Sequence, residues 1–197
     1  MDKHFMVLLF LSMVMLGYAY PNTGFGQCGD TDVKGLDEFC YKKFVGKEYD
    51  IAFVPDNMFY RSVKSASIKF SKSRKIYTSE LCLKMKDETV KIFKFQEEYL
   101  SNSSVLESEL NQCGKGGRDT FVVTFYGIKE NAYAQYYICA NNGNRYAIDA
   151  RFVLVPKGYL LPLKERFEIY NRDKEQKFFG EILELYVDRK NDPYVPQ

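Results

Sequence analysis

The chain has 197 residues, of which 28 are basic and 26 acidic, and its formal net charge is +2. This length suits one domain with a sizeable core, and so balanced a charge gives no electrostatic reason to expect nucleic acid or an anionic membrane as a partner. The only histidine is His4, and there is no tryptophan.

The first 19 residues have the pattern of a secretory signal peptide. Lys3 precedes an apolar run over residues 5–16, and Gly17-Tyr18-Ala19 supplies small residues before a cleavage site. The run is shorter than the roughly 20 residues with which a helix crosses a bilayer, and no later stretch is apolar enough to do so. We therefore expect cleavage after Ala19 and secretion of one domain, residues 20–197.

Removal of the signal peptide would remove His4. A chain without histidine cannot form a Ser-His-Asp or Cys-His catalytic site, a His-ligated haem or an ordinary zinc site. The spacing of the acidic residues singles out no catalytic carboxylate pair. We expect neither catalysis nor a metal or cofactor.

After Gly46 the chain consists of short runs in which apolar and polar residues alternate, separated by turn-forming sequences such as Pro55-Asp56-Asn57. The predicted strands are residues 47–54, 63–71, 75–86, 89–99, 103–110, 119–127, 132–140 and 145–155. Consecutive strands with mostly short connections predict an all-β fold, an eight-stranded up-and-down antiparallel barrel. Such a barrel leaves no exposed edge and can enclose one small ligand.

Beyond Pro156 the apolar residues recur at helical spacing. The residues concerned are Leu160, Leu163, Phe167 and Tyr170, then Phe178, Ile182, Leu183 and Tyr186. They predict two amphipathic helices from about residue 160, packed through their apolar faces on the outside of the barrel, with the intervening charged residues in solvent.

Two motifs in this layout resemble the lipocalin family, particularly the arthropod branch that carries pigments and other small ligands. Residues 44–49, Phe-Val-Gly-Lys-Glu-Tyr, are similar to the F-x-G-x-W-Y opening of the first strand. Residues 133–139, Tyr-Ala-Gln-Tyr-Tyr-Ile-Cys, are similar to the Y-A-x-x-Y-x-C run of the seventh. The order of leader, eight strands and helical tail also matches. The resemblance implies a secreted protein that binds or transports a small hydrophobic or amphipathic molecule.

The chain departs from that pattern at three places. Glu48 stands where the family has tryptophan, the arginine that ends the last strand is absent although Arg151 lies near, and residues 128–130 read Ile-Lys-Glu in place of T-D-Y. In lipocalins the tryptophan and arginine stack across the closed end, so losing both leaves neither unpaired.

The five cysteines predict disulfides in a secreted protein, and their odd number leaves one thiol over. The family pattern and the positions of the strand ends in a barrel favour Cys28–Cys139 and, second, Cys82–Cys113. Cys40 would then be a buried unpaired thiol or a reactive or intermolecular one. Asn102 begins an N-glycosylation sequon, Asn-Ser-Ser, which predicts a surface site unless the sequon is unused.

The register of the first strand has three alternatives. The family register turns Glu48 and Asp50 inward, where an acidic floor would bind a cationic ligand such as a biogenic amine. The opposite register places Tyr49, Ile51 and Phe53 inside and both acids in water. In the third, the acids pair with Arg151. Further candidate lining residues are Phe70, Leu83, Phe93, Phe95, Phe125, Tyr137, Tyr146 and Ile148, each of which could equally be core.

The alternative function is a secreted effector or inhibitor that binds proteins through its loops. Residues 102–117 and the C-terminal helices would provide the surface. Such a protein tolerates a filled barrel, whereas a carrier needs a cavity. The sequence does not define the oligomeric state.

Overall fold

The computed structural model describes residues 33–74, 76–98, 105–110, 119–141, 149–178 and 181–185. The predicted signal peptide and the residues Cys28, Asn102, Cys113, Tyr146 and Ile148 lie outside this part of the chain. The predictions about the signal peptide, Cys28, Asn102, Tyr146 and Ile148 stay predictions.

The described chain is dominated by antiparallel strands. They are β1 (Glu48–Pro55), β2 (Val63–Ser73), β3 (Ile76–Met85), β4 (Val90–Glu98), β5 (Val105–Leu110), β6 (Asp119–Lys129), β7 (Tyr133–Asn141), β8 (Asp149–Pro156) and β9 (Ile182–Glu184). A short helix, α1 (Met58–Arg61), connects β1 to β2, and a longer one, α2 (Leu163–Glu175), follows β8. Each of the predicted strands overlaps one of β1–β8, so the alternating pattern located them correctly.

The strands pair in the order β2-β3-β4-β5-β6-β7-β8-β1-β9, and β1 also pairs with β2. The second pairing, at Glu48↔Lys69, Tyr49↔Ile68 and Asp50↔Ser67, joins the two ends of the sheet. The predicted eight-stranded up-and-down barrel is therefore confirmed. Closure gives the β2 edge of the sheet a partner, so its N–H and C=O groups are not left as an open edge.

One end of the barrel is closed by the segment before β1. This segment contains a 3₁₀ turn (Tyr41–Lys43) and three buried aromatic residues in or next to the turn. These residues, Phe39, Tyr41 and Phe44, are called the plug. Phe39 stacks on Phe125 with ring centroids 4.4 Å apart. Backbone bonds fix the segment: Leu36 N donates to Phe125 O at 3.0 Å, and Gly46 N to Phe70 O at 2.8 Å. We call this the plug end and the opposite end, where α1 lies, the α1 end.

The second predicted C-terminal helix is wrong. Residues 182–184 form β9, which pairs antiparallel with Phe53–Pro55 of β1. The pairing of β1 with β2 ends at Asp50, and the backbone edge of β1 beyond this residue accepts a new strand. Two further backbone hydrogen bonds flank this pairing, one before β9 and one after it. Asp56 N donates to Glu181 O at 2.9 Å, and Leu185 N donates to Ala52 O at 2.8 Å.

The first helix forms as predicted but packs on the opposite face. The residues predicted to face the barrel are exposed: Leu163 by 70%, Phe167 by 60%, and Leu160 and Tyr170 by about two-fifths, 43% and 40%. We call these four residues the α2 stripe. Glu165, Ile169 and Asp173 are buried instead.

Polar partners on the barrel explain this orientation. Asp173 accepts hydrogen bonds from Tyr126 Oη at 2.9 Å, Gln135 Nε2 at 2.8 Å and an Arg151 guanidinium nitrogen at 3.1 Å. Arg151 also lies over the Phe178 ring, 4.6 Å from its centroid. Burial raises the pKa of Asp173, against the opposing effects of Arg151 and the two neutral donors. Buried groups of this kind are costly unless paired, so the rotation that satisfies them leaves the apolar residues outside.

A titrating group ties β2 to the β3–β4 hairpin at the α1 end. Glu88 accepts from Lys64 Nζ at 2.6 Å and lies 2.8 Å from Lys84 Nζ, and these bonds lower its pKa to about 2. A lowered folded-state pKa gives a stabilising contribution present above the unfolded value of about 4.5, which is lost as the pH falls towards 2. We expect NMR titration to show this low pKa, and Lys84→Ala to raise it. An unshifted Glu88 in the native protein would contradict these ion pairs.

Candidate functional site

The barrel interior is lined by one continuous cluster of apolar side chains. From β1 it includes Ile51 and Val54, with Tyr49 packed against it. A register shift between Ile51 and Phe53 changes the alternation, so Phe53 faces outwards into a second cluster with Ile169. The inward positions of β1 are therefore apolar, which is the opposite register to the one that the family pattern implied.

Glu48 and Asp50 lie on the outer face, and the expectation that they form an acidic floor is wrong. Lys157 Nζ lies 3.4 Å from a Glu48 carboxylate oxygen, and Gly158 N donates to Asp50 Oδ2 at 2.9 Å. The third alternative is also wrong, because Arg151 pairs with Asp173. Burying two carboxylates without bases would cost far more than placing Tyr49 and Ile51 inside.

The other predicted lining residues that the structure describes are buried in the interior, half-buried there, or outside the barrel. Phe70, Leu83, Phe95 and Phe125 are buried in the interior cluster, and Phe93 is half-buried against it. Tyr137 lies on the outside of the barrel with Tyr126 and Phe178, so its assignment to the interior is wrong.

A column of aromatic rings runs along the β6–β8 wall from the plug to α1. Phe125 stacks on Tyr136 at 5.4 Å between centroids, and Tyr136 lies 5.3 Å from Phe152. Phe152 in turn meets Tyr60 of α1 edge-on at 5.7 Å. These separations are the ones aromatic pairs favour. Tyr60, Tyr136 and Phe152 were not predicted; the inward alternation of Tyr136 with Ile138 in β7 was the available signal.

The β3–β4 wall of the interior combines aliphatic, hydroxyl and phenylalanine side chains, unlike the aromatic column of β6–β8. The register pairs Leu81 with Phe93 and Ser79 with Phe95, which places these side chains on one inward face. Phe93 is half-buried, whereas its neighbours on this face, Leu81, Ser79 and Phe95, are buried.

One charged residue shares the inward face of β4: Lys91 pairs with Leu83, is exposed, and its Nζ lies 5.4 Å from the centroid of the Phe59 ring at the α1 end. The buried charged residues of the described chain lie outside the barrel, on α2 or beneath it. They are Arg151, Glu165 and Asp173. The polar groups of the described interior include the hydroxyls of Tyr77, Ser79 and Tyr136. An apolar surface with a few hydroxyls suits a neutral ligand or the apolar part of an amphipathic one.

The structure describes three of the five cysteines, Cys40, Cys82 and Cys139. Cys139 is disulfide-bonded, with a partner outside the described residues. Cys82 is a free thiol, so the predicted Cys82–Cys113 bridge is wrong. Cys82 alternates with inward Leu81 and Leu83, and burial together with Glu80 and Glu48 raises the pKa of its thiol. Cys40 is free and exposed, which excludes the buried-thiol alternative.

Within the described ranges, no group of three or more His, Cys, Asp or Glu side chains could hold a metal ion. Nor does any helix there have the length and apolarity needed to cross a membrane.

Comparison of the structure with solved proteins identifies a lipocalin-like fold. The Rhodnius prolixus amine-binding protein, solved as its tryptamine complex, superposes with a TM-score of 0.62 at 9% identity, over 81% of this chain and 90% of that one. LTBP1 bound to leukotriene C4 gives 0.55 at 13% identity, over 79% and 91%.

Lobster apocrustacyanin A1 gives a TM-score of 0.56 at 10% identity, over 79% of this chain and 90% of that one. No family model matches the sequence, and no curated protein matches it at a significant level. The structural likeness therefore establishes the fold.

Proposed function

We propose that this chain is a secreted carrier that holds a small hydrophobic or amphipathic molecule inside its barrel. The observation that carries the proposal is the apolar interior, closed at one end by the plug and lined by the aromatic column and by the half-buried Phe93. A concave apolar site with few polar groups is the usual form of a small-molecule site.

Solved proteins with a similar fold support a small-molecule ligand. The solved complexes hold tryptamine in one neighbour and leukotriene C4 in another. In this chain Glu48 and Asp50 lie outside, so the carboxylates expected to bind a cationic amine do not serve that purpose. We therefore infer a neutral ligand, or an amphipathic one whose charged group stays at the α1 end.

Secretion, glycosylation at Asn102 and a Cys28–Cys139 disulfide belong to the same proposal. The signal-peptide pattern and the sequon support the first two. The bonded state of Cys139 supports the third, because Cys40 and Cys82 are both free.

Native mass spectrometry of the secreted protein, before and after organic extraction, tests the carrier function. We expect an extra mass of one small molecule that extraction removes and that a neutral lipophilic compound restores. A protein that has no extra mass and takes up no neutral or amphipathic compound would contradict the carrier function.

The near-complete burial of Phe70, Leu83 and Phe125 favours one alternative, a protein-binding effector with a filled barrel. That alternative requires no ligand. It predicts an unchanged mass under every condition of the same experiment, so the two functions give opposite results.

A further inference from the structure

The apolar inward face of β4 ends in a lysine at the rim of the α1 end. Lys91 pairs with Leu83 of β3 and precedes Phe93 by two residues, about 7 Å along the strand, on the same face. Lys91 is exposed, whereas Leu83 is buried and Phe93 is half-buried. A cation therefore stands next to the apolar wall, at the end of the barrel opposite the plug.

The Lys91 side chain lies beside α1. Its Nζ is 5.4 Å from the centroid of the Phe59 ring, a distance at which a cation is attracted to the face of an aromatic ring. Phe59 meets Tyr60 edge-on at 5.1 Å, and Tyr60 meets Phe152 of the aromatic column at 5.7 Å. These ring contacts connect the column through α1 to Lys91, and they place its ammonium group at the rim of the barrel.

Most ionic groups described at this rim pair with one another. The pairs are Lys64 and Lys84 with Glu88, and Arg61 with Asp56. Asp87 lies near enough to respond to Lys91: two hydrogen bonds from Thr89 and, to a smaller extent, the Lys91 charge lower its pKa. Within the described ranges no salt bridge includes Lys91, so its charge is available to an external anion.

We propose that Lys91 binds the headgroup of an amphipathic ligand and that this headgroup is an anion. The inference rests on the proposed carrier function and adds the charge of the ligand. The apolar chain of the ligand lies against Phe93, and its headgroup accepts a hydrogen bond from Lys91 Nζ while it stays partly in solvent, which avoids the cost of burying its charge. A cationic headgroup is repelled at the same place.

Calorimetric titration of the secreted protein, after organic extraction, with decanoate, decanol and decylamine is the test, because these compounds share one apolar chain. We expect decanoate to bind about fivefold more tightly than decanol, the scale of an ion pair at a partly exposed site, and decylamine to bind most weakly. Lys91→Met should remove the preference for decanoate without weakening the binding of decanol. Lys91→Glu should reverse it, so that decylamine binds more tightly than decanoate.

Two controls separate the position of Lys91 from its charge alone. Lys91→Arg keeps a cation on the inward face and should keep the preference for decanoate. Lys86→Met removes an exposed lysine from the β3–β4 turn at the same end and should also keep it. Circular dichroism should show all these variants folded, since both lysines are exposed.

The same titrations distinguish failure of the headgroup site from failure of the carrier function. Equal affinities for decanol and decanoate, tighter binding of decylamine to the native protein, or a preference that survives Lys91→Met would overturn the headgroup site and leave the carrier function intact. Loss of the preference in Lys86→Met to the same extent as in Lys91→Met would also overturn it. A native protein that binds none of the three compounds would overturn both proposals.

Discussion

Replacing Asp173 with alanine is expected to destabilise the protein by about 3–5 kcal/mol, the usual cost of breaking a buried charge pair from one side. The variant leaves the Arg151 guanidinium buried without its carboxylate and removes an acceptor from Tyr126 and Gln135. The loss is a large share of the total stability of a domain this size. Urea unfolding, followed by circular dichroism, measures it.

Two further variants separate the pair from general effects on α2. Glu175→Ala, an exposed acid on the same helix, should change the free energy of unfolding little. Arg151→Met combined with Asp173→Leu should regain most of the loss, because it removes both charges together. Equal destabilisation by Asp173→Ala and Glu175→Ala would show that Asp173 does not anchor the helix.

Replacing Phe93 with glutamate is expected to abolish binding of a neutral apolar fluorescent probe, with at least a thirtyfold loss of affinity, about 2 kcal/mol. Phe93 faces the interior opposite Leu81, at the part of the wall that keeps accessible surface. A bound probe would remove water from a carboxylate at this position, which is costly, so the carboxylate opposes binding of the probe. Titration of the probe against both proteins gives the ratio of the dissociation constants.

The neighbouring residue supplies the control for this prediction. Ile92 lies on the outer face of the same strand, opposite Cys82, and is 55% exposed. Ile92→Glu introduces the same charge one position along the chain and should leave probe affinity unchanged. If both variants bind the probe as the native protein does, it binds somewhere other than the interior.

Strands such as β2 and β3 were predictable because their alternation reports one buried face directly. Positions such as Ile68 and Phe70, or Leu81 and Leu83, alternate with polar residues, and the structure buries them accordingly. The register of β1 was harder to predict, because apolar residues occupy consecutive positions from Ile51 to Pro55. The register shift after Ile51, which sends Phe53 outwards, leaves no mark in such a run.

The C-terminal segment shows why local periodicity was insufficient. The stripe from Leu160 to Tyr170 correctly predicted a helix, but its orientation depends on Asp173 meeting Gln135 and Arg151, which are far away in the sequence. Likewise, residues 182–184 follow a helical spacing yet form β9, because β1 offers an unpaired edge there. Both outcomes are set by tertiary contacts that a single segment does not encode.

Because the chain has no tryptophan, the fluorescence of an introduced tryptophan can test whether the barrel binds a ligand in its interior. Phe93→Trp and Ile92→Trp each place a single indole on β4, one facing inwards and one outwards. On addition of a neutral lipophile, the emission of the Phe93→Trp protein should shift and become shielded from an aqueous quencher, while that of the Ile92→Trp protein stays constant. Unchanged emission from both proteins at saturating lipophile would contradict a ligand-binding interior.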